Sequence, residues 1–154
     1  MEEAPEEVYK TCFDYNFEEV IRLMETDGMK LSQEIIRQVA SLPIYGEVYR
    51  KACETLGVKK SAELAILAVE LPLYLPMVKL KTLLVLIPGG DRRRYNHKLR
   101  DHIARFAVNL YINAKKNANI SDKVIEIVNR LPKKQAIPKL EVIILKTLRI
   151  AYLS

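Results

Sequence analysis

DHIARFAVNLYINAK, Asp101–Lys115, decides the fold. With Leu99 just before it, the stretch places Leu99, Ile103, Phe106 and Leu110 at i, i+4, i+7 and i+11. That is one apolar stripe at the helical period, and it lacks the strict alternation of a half-buried strand. A helix over about Asp101–Lys115 follows. A row one residue earlier, Lys98, His102, Arg105 and Asn109, is rotated from the stripe by about 100° and falls at the boundary between core and solvent.

Apolar spacing is helical in both directions from this segment, and only Leu83–Ile87 also passes for a strand. Upstream, one segment covers Glu6–Met24, with an interruption at Asp14–Asn16, and stops at Asp27-Gly28. Ser32 reads as the N-cap of Gln33–Leu42, with Pro43 as its stop. Tyr45–Leu56 follows, closed by Gly57 in left-handed conformation. Ser61 caps Ala62–Leu71, and Pro76 opens Met77–Ile87. Downstream, Ser121 caps Asp122–Leu131, and a Pro132–Pro138 loop leads into a last helix over about Lys139–Tyr152. The expectation is an all-α chain, a single compact helical domain over residues 1–154.

Composition agrees with an ordinary core: 154 residues, 49% hydrophobic. The most apolar stretch, Leu64–Ile87, is interrupted by Glu70, Pro72, Pro76, Lys79 and Lys81, so it reads as two short buried helices and not as a membrane span. Cys12 and Cys53 stand alone, with no CxxC pair and no nearby histidine, which excludes zinc and iron–sulfur ligation. With no signal peptide, they read as reduced core residues of a cytoplasmic protein. Tyr9, Tyr15, Tyr45, Tyr49 and Tyr74 read as core or boundary residues. The acidic start, MEEAPEE, reads as a solvated end.

Charge is concentrated in one place. Pro88-Gly89-Gly90 breaks the helical pattern and hands over to DRRRYNHKLRDHIAR, Asp91–Arg105, which holds six of the 25 Lys+Arg residues and both histidines. Residues 91–100 read as a basic mobile loop that meets a helix N-terminus, with Asp101 as its cap. Unpaired N–H groups and the positive dipole end make such a place favourable for phosphate. Arg105 offers a planar fork of donors, and His102 one directional donor. Arg92, Arg93, Arg94, Lys98 and Arg100 could close over an anion from the loop. The same run is equally compatible with a solvated charged surface.

Other chemistries find no support in the residues. Gly89-Gly90 lacks the GKS or GKT of a P-loop. Asp91 and Asp101 sit beside arginines and read as local charge partners, not as a catalytic pair. Ser32–Gly57 has the outline of a helix–turn–helix, but its second helix would bring only Arg50 and Lys51.

The segment Asn96–Pro132, NHKLRDHIARFAVNLYINAKKNANISDKVIEIVNRLP, resembles the C-terminal domain of the archaeal and eukaryotic DNA primase large subunit. The matching features are a His-x-x-Arg at a helix start (His102, Arg105), an aromatic next (Phe106), Tyr111, and a second helix over Ser121–Ile127. Leu75-Pro76-Met77-Val78-Lys79 resembles the family's proline-marked helix opening, with Met77 where the first cluster cysteine would stand. The resemblance covers about residues 75–132; the helices of residues 1–74 have no counterpart in it. The family's four cluster cysteines are absent here. A small, basic, cluster-free relative is similar to the non-catalytic third subunits, the subunit X family, of crenarchaeal primases.

This resemblance implies that His102 and Arg105 hold the triphosphate of the initiating nucleotide on the template, with Arg100 the nearest match to a further basic residue. Lys98, Arg92, Arg93, Arg94, Asn109, Lys115 and Lys116 are candidates from charge or position alone. It also implies the primase small and large subunits, an initiating nucleoside triphosphate and a single-stranded DNA template as partners, and no membrane. The chain would be no enzyme on its own and would bind no cofactor or metal, since divalent metal would belong to the catalytic subunit. Two other readings stand beside it. One is a helical module that binds nucleic acid without regard to sequence. The other is an adaptor that docks a partner through Val142, Ile144, Leu145, Leu148 and Ile150.

Overall fold

A computed structural model describes residues 17–84, 86, 96–116 and 119–154, which form seven helices and no strand. They are α1 (Phe17–Ala40), α2 (Tyr45–Leu56), α3 (Ala62–Glu70), α4 (Met77–Leu83), α5 (His97–Lys116), α6 (Asp122–Arg130) and α7 (Lys133–Leu153). The all-α architecture expected from apolar spacing is the one observed. The chain divides into two units, Met1–Glu34 and Ile35–Ser154. The core described here belongs to the second.

At its centre is α7, which packs against α2, α4, α5 and α6, while α3 packs against α5 and α2. Leu140, Ile144, Leu145 and Leu148 of α7 are wholly buried, as are Ile103 and Leu110 of α5 and Leu64 and Leu67 of α3. Each such side chain contributes about 1.5–3 kcal/mol of burial. The last helix therefore uses its apolar residues on this chain's own core. Of the five residues proposed as an adaptor face, only Ile150 is exposed, and Val142 is half-buried.

Several junctions follow from local chemistry. Gly57 closes α2 at φ +76, and its N–H donates to the Cys53 carbonyl at 2.9 Å. A Cβ there would come within 2.2 Å of the Asn119 carbonyl oxygen, so the position needs glycine for space as well as for φ. Ser61 Oγ accepts the Leu64 N–H at 3.1 Å and caps α3 as its sequence suggests. The Ser61 N–H in turn donates to the Tyr49 hydroxyl at 3.0 Å, which ties α3 to α2. Burial pushes the Tyr49 phenol up to about 12. Burial also raises the Cys53 thiol, consistent with an inert core residue. Arg149 Nε donates to the Leu75 carbonyl at 2.9 Å and fastens the segment before α4 to α7.

The structure corrects several boundaries. Helix α1 runs through Asp27-Gly28 and through Ser32, which is an interior residue and not a cap. A lone glycine costs only about 1 kcal/mol in a helix, less than the hydrogen bonds that a break would forfeit. The helix stops at Ala40, where Pro43 is close and the Ser41 hydroxyl donates to the Gln38 carbonyl at 2.7 Å. Pro76 stands just outside α4 as its N-cap, and α4 ends at Leu83, four residues short of the expected Ile87. Helix α6 has no side-chain cap from Ser121; the Ser121 carbonyl instead accepts from Val124 and Ile125.

Pro138 lies inside α7, which starts at Lys133 and not at Lys139. The proline forfeits one backbone bond, but Ala136 and Leu140 on either side are wholly buried, and that packing holds the turn together. Tyr49 is buried, whereas Tyr45 and Tyr74 are exposed, 37% and 68%, contrary to the core or boundary placement expected. Cys12, Tyr9, Tyr15 and the acidic start lie outside the described residues, as does most of the Glu6–Met24 segment before Phe17. No helix among the described residues is long and apolar enough to cross a membrane.

Candidate functional site

The helix that carries the candidate residues begins four residues earlier than its spacing suggests. Asn96, not Asp101, is its cap: the Asn96 side-chain oxygen accepts the Leu99 N–H at 3.1 Å. The Asn96 N–H donates to the Leu83 carbonyl at 2.9 Å, which anchors the start of α5 to the end of α4. Residues 97–100 are therefore helical and not part of a loop. Asp101 is an exposed interior residue of α5. Arg92, Arg93 and Arg94 lie outside the described residues.

The apolar stripe faces the core as expected, with Leu99, Ile103, Phe106 and Leu110 all buried. Of the neighbouring row, Lys98, Arg105 and Asn109 are exposed and His102 is half-buried. His102 Nδ1 contacts the Glu63 carboxylate of α3 in a short hydrogen bond, each side chain being 24% exposed. A carboxylate only accepts, so the Nδ1 proton is directed to Glu63, and Nε2 is the ring nitrogen left for another partner. The second Glu63 oxygen lies 4.0 Å from Arg105 Nη1, a loose pair in which Arg105 remains 66% exposed. Glu63 and Arg105, with Ala104, Val108 and Asn109, line a shallow cleft of about 410 Å³.

Glu63 is held by a relay of ordered parts. Tyr49 fixes the Ser61 N–H, Ser61 caps α3, and Glu63 falls in the first turn, where the helix dipole favours negative charge. The carboxylate thus has a built position opposite α5.

Arg100 faces elsewhere. Two residues along a helix turn about 200°, so Arg100 and His102 leave α5 on nearly opposite sides. Arg100 makes a short bond to the Glu141 carboxylate of α7, which is 2% exposed. Burial raises the Glu141 carboxyl, and the adjacent guanidinium opposes that rise. The structure therefore does not bring Arg100 to His102 and Arg105.

At the other end of the helix, Lys115 Nζ sits over the Tyr111 ring at 5.1 Å, and Lys115 and Lys116 fill the last turn, where cations complement the dipole. In α2, Arg50 is shared between Glu47 at 3.1 Å and Glu54 at 2.9 Å, which leaves that helix poorly suited to reading nucleic acid.

Glu63 and Glu141 were not singled out by the sequence. Glu141 had a legible signal, since it is a charge within the apolar face Ile137, Ile144, Leu145, Leu148 and such a residue needs a buried partner. Glu63 had none beyond its first-turn position. No group of three or more His, Cys, Asp or Glu residues among the described residues could hold a metal ion. Compared with models of known families, with characterised proteins and with solved structures, the chain finds no match.

Proposed function

We propose that this chain is a cytoplasmic, non-catalytic subunit of a DNA primase that holds the triphosphate of the initiating nucleotide next to the template. The observation that supports the reading is that His102 and Arg105 both reach the Glu63 carboxylate at the α3–α5 face. These are the two residues that the primase resemblance nominates. Arg105 supplies bidentate donors from an exposed guanidinium, and His102, its Nδ1 held by Glu63, presents Nε2. Lys98 lies one turn toward the helix start on the same row and adds charge. Arg100 is a scaffold residue in this reading, because Glu141 holds it.

The catalytic metal ions belong to another subunit, and this chain contributes position. Fixing the first nucleotide converts an encounter of two free nucleotides into a local one, worth several kcal/mol. The test is reconstitution with the primase small and large subunits. Arg105→Ala and His102→Ala are expected to lower dinucleotide synthesis at least tenfold while extension of a preformed primer is retained. Equal loss of both activities, or binding with no preference for a triphosphate end, would overturn the reading.

A further inference from the structure

A second cleft, of about 370 Å³, lies where α2, α6 and α7 meet, away from the α3–α5 face. Its buried lining comprises the apolar Leu56 and Ala151 and the polar Thr147, whose hydroxyl donates to the Ile143 carbonyl at 2.7 Å. Its rim carries three ammonium groups from three helices, Lys51, Lys123 and Lys146. Lys51 Nζ donates to Ser154 Oγ at 3.1 Å, while Lys123 and Lys146 are exposed and make no ion pair among the described residues. The one acidic side chain of the lining, Glu54, accepts from Arg50 at 2.9 Å and so is partly neutralised. The start of α6 adds little to this charge: the Ser121 N–H donates to the Leu56 carbonyl at 3.0 Å, the Ser121 carbonyl accepts from Val124 and Ile125, and Asp122 in the first turn offsets the dipole.

We infer that this cleft binds a small amphiphilic anion, with its phosphate or carboxylate head among the three lysines and its apolar body on Leu56 and Ala151. Concavity favours a small molecule over a protein face, because a docking face presents its apolar residues to solvent, whereas here only Ile150 of the apolar lining does so. Charge selects the head group. Three cations around a concave, partly apolar lining attract an anion more strongly than they would on an open surface. The cleft lacks aromatic side chains, so stacked bases are not its natural occupants.

The test is an NMR titration of the full chain with hexyl phosphate, alongside inorganic phosphate and hexyl glucoside. Saturable shifts are expected at the Leu56, Thr147 and Ala151 amides, with at least tenfold weaker binding of either comparison compound. Lys123→Glu combined with Lys146→Glu changes only exposed side chains, and it is expected to abolish the response with the helical content intact. Arg105→Ala is expected to leave it unchanged, which separates this cleft from the α3–α5 face. Equal binding of hexyl glucoside or inorganic phosphate, shifts that never saturate, or unchanged affinity in the double variant would each overturn the assignment.

Discussion

Helix α5 carries two basic residues paired with carboxylates on nearly opposite sides, Arg100 and His102, and the pairs differ in burial. Arg100 meets Glu141, whose carboxylate is 2% exposed, in the packed interface with α7. His102 meets Glu63 at the edge of α3, where each partner is 24% exposed. In the first pair neither water nor ligand can replace the partner of Glu141, so the pair is part of the core. In the second, each partner is partly open to solvent, so breaking the pair carries a smaller penalty. Burial thus separates a pair fixed in the core from one that solvent reaches on both partners.

Removing Arg100 breaks the comparison most severely. Arg100→Met leaves a buried carboxylate without compensation, and the expected loss is about 3 kcal/mol at neutral pH, near the low end for buried pairs because Arg100 is a third exposed. Urea unfolding measures it. Burial raises the Glu141 carboxyl on folding while Arg100 pulls it down. A carboxyl raised on folding stabilises the fold below its unfolded value, and this contribution disappears as pH rises through the folded value. Without Arg100 the folded value rises further, so the deficit of Arg100→Met shrinks on acidification toward the ordinary carboxylate range. A deficit that does not change with pH would show that Glu141 is not its source.

Adding Glu141→Gln to Arg100→Met removes the stranded charge, and the double variant is expected to recover to within about 1 kcal/mol of the parent. Failure to recover would assign the loss to the packing of the Arg100 stem. At the surface pair, Glu63→Gln is expected to cost no more than about 1 kcal/mol of stability. If the proposed function holds, the same change weakens triphosphate binding, because it removes the carboxylate that orients His102; unchanged or stronger binding would show that Glu63 acts there only as a resident negative charge. Smallest of all, Arg105→Ala is expected to shift stability by less than about 0.5 kcal/mol by thermal unfolding. A larger loss would mean that Arg105 is structural and would weaken its assignment to a ligand.

Much of the fold was legible before any coordinates. Gly57 as a left-handed helix end, Ser61 as a cap and the Leu99–Leu110 stripe depend only on backbone sterics, local hydrogen bonds and period, all encoded within a few residues. The misplaced boundaries share a different cause. Gly28, Ser32, Asp101 and Pro138 are residues of low helix propensity, and each was read as punctuation, yet each is inside a helix. Propensity differences of about 1 kcal/mol give way to helix continuity and, around Pro138, to the burial of Ala136 and Leu140.

The candidate site divides in the same way. Sequence alone determined that α5 is amphipathic, that Lys98, His102, Arg105 and Asn109 share one row, and that the chain lacks clustered cysteines, because spacing along a helix sets the face a residue occupies. Only the tertiary structure decided which basic residues of α5 meet a carboxylate. Glu63 lies 39 positions before His102, and Glu141 lies 41 after Arg100. No local rule links residues so far apart; the packing of α3 and α7 on opposite sides of α5 does. That packing turned one run of basic residues into a core pair, a partly exposed pair and the exposed Lys98, which makes no ion pair among the described residues.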